Sequence, residues 1–195
     1  MTHALIALNY KDTGRGIEVI HDNIRRAGER ISKVVWVYQE GIAAAINMGL
    51  SQTYPHYDTY TIMANDIVEP DQWLQARARS LSGNISMVSI KIDEEPEQFQ
   101  LEEIIANWTI RKEVIDTIGG FNTEYDPYGP IDLDYCHRAR AAGFLMSYIP
   151  GFMCRHIENE DRDTVYGYSK AELVQSKWDL LVRNLHEFKP TKLPI

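Results

Sequence analysis

Cysteine is nearly absent: Cys136 and Cys154 are the only two in 195 residues. That is too few for a disulfide framework, and both sit in apolar or helical surroundings, so they read as reduced core thiols. No apolar run approaches the ~20 residues a membrane helix requires. The opening Met1-Thr2-His3-Ala4 has no basic stretch followed by an apolar one, so no signal peptide is expected, and a cytoplasmic location follows as an expectation. Positive charge is also short, with 20 Lys and Arg against 28 Asp and Glu and a net charge of −8. This balance argues against a dedicated nucleic-acid binder, whose phosphate affinity would come from Lys and Arg. The local basic pairs Arg25-Arg26 and Arg77/Arg79 read as solvated helix faces. No repeat, low-complexity segment or long linker divides the chain, so residues 1–195 are expected to form one domain. The apolar share of 44% and charged share of 25% are ordinary for a globular protein.

What is present is an alternation of strand and helix signals, which predicts an α/β sheet. Ala4–Asn9 is a short apolar run and reads as the first strand. Ile17, Ile20 and Ile24 recur at helical spacing. Val34–Tyr38 reads as a second strand, and Ile42, Ala45, Ile46 and Leu50 mark a second helix. A third strand, Tyr60–Ala64, ends at Asn65-Asp66. Pro70 is expected to open a helix running to about Leu81, since proline is tolerated in a first turn. Ile85–Ile92 alternates as a strand, 94–100 is an acidic surface loop, and Ala106–Ile110 is a short strand. Arg111–Ile118 is a helix closed by Gly119. Pro130–Ala142 is a helix ended by Gly143, and Phe144–Ile149 is a strand followed by the turn Pro150-Gly151. Ser169-Lys170-Ala171-Glu172 has capping-box spacing. The last helix, over 169–187, carries Val174, Trp178, Leu181 and Leu185 on one face and is expected to pack on the sheet.

Four residues bear candidate chemistry. Asp66 follows an apolar strand, and ligands of open α/β sheets bind beyond the strands' C-terminal ends. A carboxylate there can hold Mg2+ or Mn2+, which need only one or two protein carboxylates when phosphates complete the shell. The same position suits a turn aspartate ahead of Pro70. Asp132 and Asp134 are two apart on a helix and point in roughly opposite directions, so one of them faces a ligand. Asp132 falls in the first turn, where the helix terminus favours an ionised carboxylate. It could equally be a helix-start charge without catalytic meaning. Asp134 has Arg138 four residues on, the spacing of an intrahelical ion pair. His156 comes after the Phe144–Ile149 strand, and a neutral imidazole suits Mn2+ or other transition ions. It also fits a structural or surface histidine. The acidic 158–163 stretch beyond it is either a flap over a bound ligand or a solvated loop.

The order of these residues resembles a known family. Ile110-Arg111-Lys112-Glu113-Val114, Ile118-Gly119-Gly120-Phe121-Asn122, Glu124, Tyr128-Gly129, Asp132-Leu133-Asp134, Arg138, Gly143, Tyr148-Ile149-Pro150 and His156 are similar, over nearly fifty residues, to the C-terminal half of family 2 glycosyltransferases. Upstream, Gly41 with Ala44-Ala45-Ile46-Asn47-Met48-Gly49-Leu50 resembles that family's Gly/Ala-rich helix. Ile62–Pro70 resembles the strand bearing its Asp-X-Asp metal motif. The resemblance runs from about Ala4 to His156.

It implies the GT-A fold, a Rossmann-like three-layer arrangement with a mostly parallel sheet between helices. It also implies a metal-dependent, inverting glycosyltransferase using a nucleotide-diphosphate sugar and manganese or magnesium (Mn2+ or Mg2+), with a saccharide acceptor. By resemblance Asp66 binds the metal, His156 completes its shell, Asp132 is the base, and Asn47 lies near the nucleotide with Asn65 beside Asp66. Tyr10 could stack on a nucleobase and Gln39 could hydrogen-bond one. Trp108 and Asp134 are candidates for the acceptor side. The chain departs from the pattern at Ala64 and Ile131, where acids are usual, and at Asn122. It also runs Val37-Tyr38-Gln39-Glu40-Gly41 straight into a helix where the family has a nucleobase-reading aspartate and a longer turn. Other readings are transfer to hydroxymethylated bases of DNA, a non-catalytic sugar or nucleotide-binding module, and a nucleotidyltransferase with Tyr10-Lys11-Asp12-Thr13-Gly14-Arg15-Gly16 as its phosphate loop.

Overall fold

A computed structural model describes residues 1–9, 14–38, 41–93, 107–157, 164–165, 168–186, 192 and 194–195. Tyr10, Gln39, the proposed phosphate loop apart from its last three residues, and the acidic stretches 94–100 and 158–163 lie outside them. The elements follow in the order β1 (His3–Leu8), α1 (Gly14–Arg26), β2 (Lys33–Val37), α2 (Ile42–Thr53), β3 (Thr59–Ala64), β4 (Ile67–Val68), α3 (Trp73–Ser80), β5 (Ile85–Ile92), β6 (Thr109–Arg111), α4 (Lys112–Ile118), α5 (Ile131–Ala141), β7 (Leu145–His156), β8 (Thr164–Val165), β9 (Tyr168–Ser169) and α6 (Lys170–His186).

Seven strands form one sheet in the order β2-β1-β3-β6-β5-β7-β4. The pairs β1–β2, β1–β3 and β5–β7 are parallel, and the short β6 and β4 run against them. The sheet is mostly parallel, and both of its faces are covered. On β1, Ala4 and Ile6 point into a core with Ala45, Ile46 and Leu50 of α2, Ile115 of α4 and Tyr135 of α5. Leu5 and Ala7 point the other way, toward Ile20 of α1 and Trp73 and Leu74 of α3. Period-2 alternation into two cores explains why β1 is apolar throughout. Helix α2 lies close on β1, since a Cβ at Gly49 would overlap Ile6 Cγ2.

Four expectations change. Helix α3 starts at Trp73, not at Pro70, because Gln72 is left-handed (φ 61°) and its amide hydrogen-bonds Arg26 O at 2.6 Å. Arg77 is not on a solvated face: it is fully buried and ion-paired to Glu69. Strand β7 does not end at Ile149. Its pairing with β5 shifts register around Pro150-Gly151 and resumes at Met153, carrying the strand to His156. Helix α6 begins as expected, with Ser169 Oγ accepting from Glu172 N at 3.4 Å. It packs chiefly on α5, however, and is anchored by Lys177 Nζ to Glu124 O (2.7 Å) and Asn184 Nδ2 to the Tyr125 hydroxyl (2.9 Å). Its inward residue is Leu181, flanked by Leu180 and Leu185, while Trp178 remains exposed.

Candidate active site

The chemistry-bearing residues gather beyond the C-terminal ends of the parallel strands. At the end of β3, Asn65 Nδ2 donates to Asn9 Oδ1 at the end of β1 (2.9 Å). Gly16 leaves room for Asn65, since a Cβ there would come within 2.5 Å of its Nδ2. The chain then turns at Asn65-Asp66 and returns as β4, which pairs antiparallel with the end of β7, Ile67 opposite His156. Asp66 O accepts from Ile157 N at 2.8 Å. Through this two-residue ladder Asp66 Oδ2 lies 3.4 Å from His156 Nε2, with about a quarter of each side chain exposed (26% and 21%). Asp93 Oδ1 accepts from the His156 amide at 3.3 Å.

Asp132 is the second residue of α5, so its carboxylate lies in the positive field of the helix start. Its Oδ1 accepts from Leu133 N at 3.0 Å, and the residue is half-buried. Tyr128 links the two halves of the site: burial, then the charges of Asp132 and Asp66, push its hydroxyl above the ordinary tyrosine value. That phenol therefore stays protonated, a donor, at neutral pH. Lys170 Nζ, at the start of α6, lies 5.5 Å from the centre of the Tyr128 ring. The tertiary fold thus sets Asp66 against His156 and places, within electrostatic reach of Asp66 and of Asp132, the phenol of Tyr128, which Lys170 faces. Sequence reasoning missed the last two. Tyr128 stood inside the family-like segment, whereas Lys170 carried no signal beyond its capping-box position.

Three expected site residues take other roles. Asn47 is a brace rather than an open nucleotide ligand: its Nδ2 donates to Phe121 O (2.8 Å) and its Oδ1 accepts from Phe121 N (2.7 Å). Trp108 is a core residue, 5% exposed, stacked on Phe121 and Tyr135, and does not line an acceptor surface. Asp134 is likewise buried. Its Oδ2 accepts from Arg138 Nε (2.8 Å) and its Oδ1 from the Tyr125 hydroxyl (3.3 Å), while Arg138 also donates to Ile118 O and Gly120 O. The expected ion pair is present, and it is structural.

Asp66 and His156 fit a divalent ion as a pair. Among the described residues there is no group of three or more His, Cys, Asp or Glu that could hold a metal. Two protein donors suffice where phosphate and water fill the remaining positions, and an imidazole donor favours Mn2+ over Mg2+. Their 3.4 Å separation suits two donors with metal bonds of about 2.1 Å.

No family model and no curated protein matches the sequence. Solved structures do match. The catalytic domain of Drosophila beta1,4galactosyltransferase 7 in complex with xylobiose has a TM-score of 0.65 at 16% identity, over 88% of this chain and 79% of that one. The mannosyltransferase PcManGT from Pyrobaculum calidifontis, in complex with GDP-Man and Mn2+, has a TM-score of 0.67 at 14% identity, over 82% of this chain and 58% of that one. GalNAc-T7 with UDP, GalNAc and Mn2+ has a TM-score of 0.64 at 12% identity, over 95% and 50%. The chain therefore spans only about half the length of the latter two. At these identities the likeness is one of architecture. With its seven-stranded, mostly parallel sheet between two helical layers, the chain has the GT-A fold of these structures.

Proposed function

We propose that the protein is an inverting glycosyltransferase that moves a sugar from a nucleotide-diphosphate sugar to a hydroxyl of a saccharide acceptor. The observation that carries this reading is the meeting of Asp66 and His156, ninety residues apart, at 3.4 Å, beside a phenol that feels both Asp66 and Asp132. The GT-A fold supports it, since the similar structures hold UDP-Gal, GDP-Man or UDP, with manganese. Asp132 takes the proton of the acceptor hydroxyl. The oxygen so freed attacks the anomeric carbon from the face opposite the diphosphate, and the bond from that carbon to the diphosphate oxygen breaks. Asp132 stands in the first turn of α5, where a helix start favours the carboxylate form that a base requires. Asp66 and His156 would hold Mn2+, which when bound supplies the charge that neutralises the departing diphosphate. Lys170 adds a positive charge at the same edge, and the protonated Tyr128 hydroxyl offers a hydrogen bond.

The test incubates the protein with Mn2+ and a panel of nucleotide sugars and follows free nucleoside diphosphate. Oligosaccharides and hydroxymethylated DNA are then offered as acceptors, and the product is read by mass shift and anomeric configuration. Donor hydrolysis and a mass shift on an oligosaccharide are expected. Failure to bind or hydrolyse any donor overturns the transferase reading, and a shift on DNA alone overturns the saccharide acceptor.

A further inference from the structure

Behind Asp66 lies a polar cluster closed to solvent. Glu69 and Arg77, both fully buried, form an ion pair at 2.6 Å. A buried ion pair adds little net stability over apolar packing, so the remaining bonds of Glu69 are the informative ones. Its Oε1 also accepts from Asn107 Nδ2 at 2.9 Å, and its Oε2 accepts from the Cys154 thiol at 3.2 Å. The other end of the Asn107 amide, Oδ1, accepts from Ala64 N at 2.8 Å. One side chain thus joins the residue two before Asp66 to the residue three after it. Asn107 does so from a left-handed backbone (φ 43°), a conformation uncommon outside glycine. Cys154 precedes His156 by two positions on β7, which places both on the same side of the strand. Asn23 completes the grip: its Nδ2 donates to Ile67 O (2.7 Å) and its Oδ1 accepts from Glu69 N (2.8 Å).

We propose that Asn107, Glu69 and Cys154 are positioning residues that set Asp66 against His156 for divalent-cation binding. The inference rests on the metal reading above. None of the three reaches the cation. They fix the two strand ends whose spacing decides whether one ion can meet both donors, and such supporting contacts typically change metal affinity about 10–100-fold.

The experiment measures Mn2+ dissociation constants by electron paramagnetic resonance, with thermal melts, for the wild type, Asp66→Asn, Asn107→Gly, Cys154→Ala and Cys154→Ser. Glycine at 107 accepts the positive φ, so only the side chain is lost. Gly49→Ala, which strains the α2–β1 contact away from the site, is the control for destabilisation alone. Asn107→Gly and Cys154→Ala are expected to weaken Mn2+ about 10–100-fold. Cys154→Ser should restore wild-type binding, because its hydroxyl donates to the same oxygen. Gly49→Ala should leave affinity unchanged. Should Asn107→Gly fail to fold, the Cys154 pair decides alone. Wild-type Mn2+ affinity in Asn107→Gly and Cys154→Ala, alongside loss in Asp66→Asn, overturns the positioning role and leaves the metal site standing. Equal weakening in Gly49→Ala also overturns it. Absence of Mn2+ binding by the wild type overturns the metal reading and this inference with it.

Discussion

Asp132 and Asp134, two positions apart on one helix, should respond to the same substitution in opposite ways. Asp134→Asn removes the charge facing Arg138, a residue 5% exposed whose guanidinium otherwise donates only to the carbonyls of Ile118 and Gly120 among the hydrogen bonds described. Breaking one side of such a buried pair costs about 3–5 kcal/mol. For a chain of 195 residues each kcal/mol moves the melting temperature by about 2–4 °C, so a fall of about 6–20 °C is expected. Asp132→Asn alters a half-buried carboxylate in the first turn of α5, and its melting point should stay within about 2 °C of the wild type. Turnover, in contrast, should drop by about 10²–10⁴ when the base is lost, with donor affinity retained. Thermal melts and nucleoside diphosphate release, measured on both purified variants, read the two effects separately. Replacing the pair together, as Asp134→Leu with Arg138→Met, should melt above Asp134→Asn alone, since no unpaired charge is left buried. A wild-type melting point in Asp134→Asn refutes the buried-pair argument, and a turnover within about tenfold of wild type in Asp132→Asn refutes its role as base.

Asn47→Ala should lower the melting temperature by at least about 4 °C, because it strands two backbone groups of the buried Phe121 at about 1–3 kcal/mol each. Nucleotide affinity should hold, and a variant that melts normally but loses nucleotide would return Asn47 to the donor site. Asp58 is held below the usual carboxylate value by the Thr2 amide and then the Thr2 hydroxyl. A depressed folded pKa gives stability that is present above the unfolded value and lost as pH falls through the folded one. Asp58→Asn should therefore melt lower at neutral pH and show a shallower loss of melting temperature on acidification below about pH 4. A pH profile parallel to wild type would sink that assignment. Gly49→Ala should melt lower than wild type despite alanine's better helix propensity, since overpacking costs about 1–3 kcal/mol against about 1 gained. A higher melting point would mean that α2 can shift away from Ile6.

Much of the architecture was legible along the chain because it is local. The apolar run of β1, the helical period of α2, the Gly119 stop after α4 and the start of α5 each report a local feature within a few residues. The intrahelical Asp134–Arg138 pair was legible for the same reason. What was not legible depends on partners far away in sequence. A strand of two residues carries no period, so β4 left no trace, yet its pairing with β7 is what sets Asp66 beside His156. Arg77 reads as a surface charge until Glu69 is folded onto it, and Trp108 as a candidate for the acceptor side until Phe121 and Tyr135 stack on it. Asn47 matches a nucleotide-side asparagine until both ends of its amide meet Phe121. The sequence by itself determined which residue types stand at the ends of which elements, since propensity and periodicity act over a turn or a strand. Tertiary structure alone decided which of them face one another, because burial, pairing and charge compensation arise only when distant segments close on a common core.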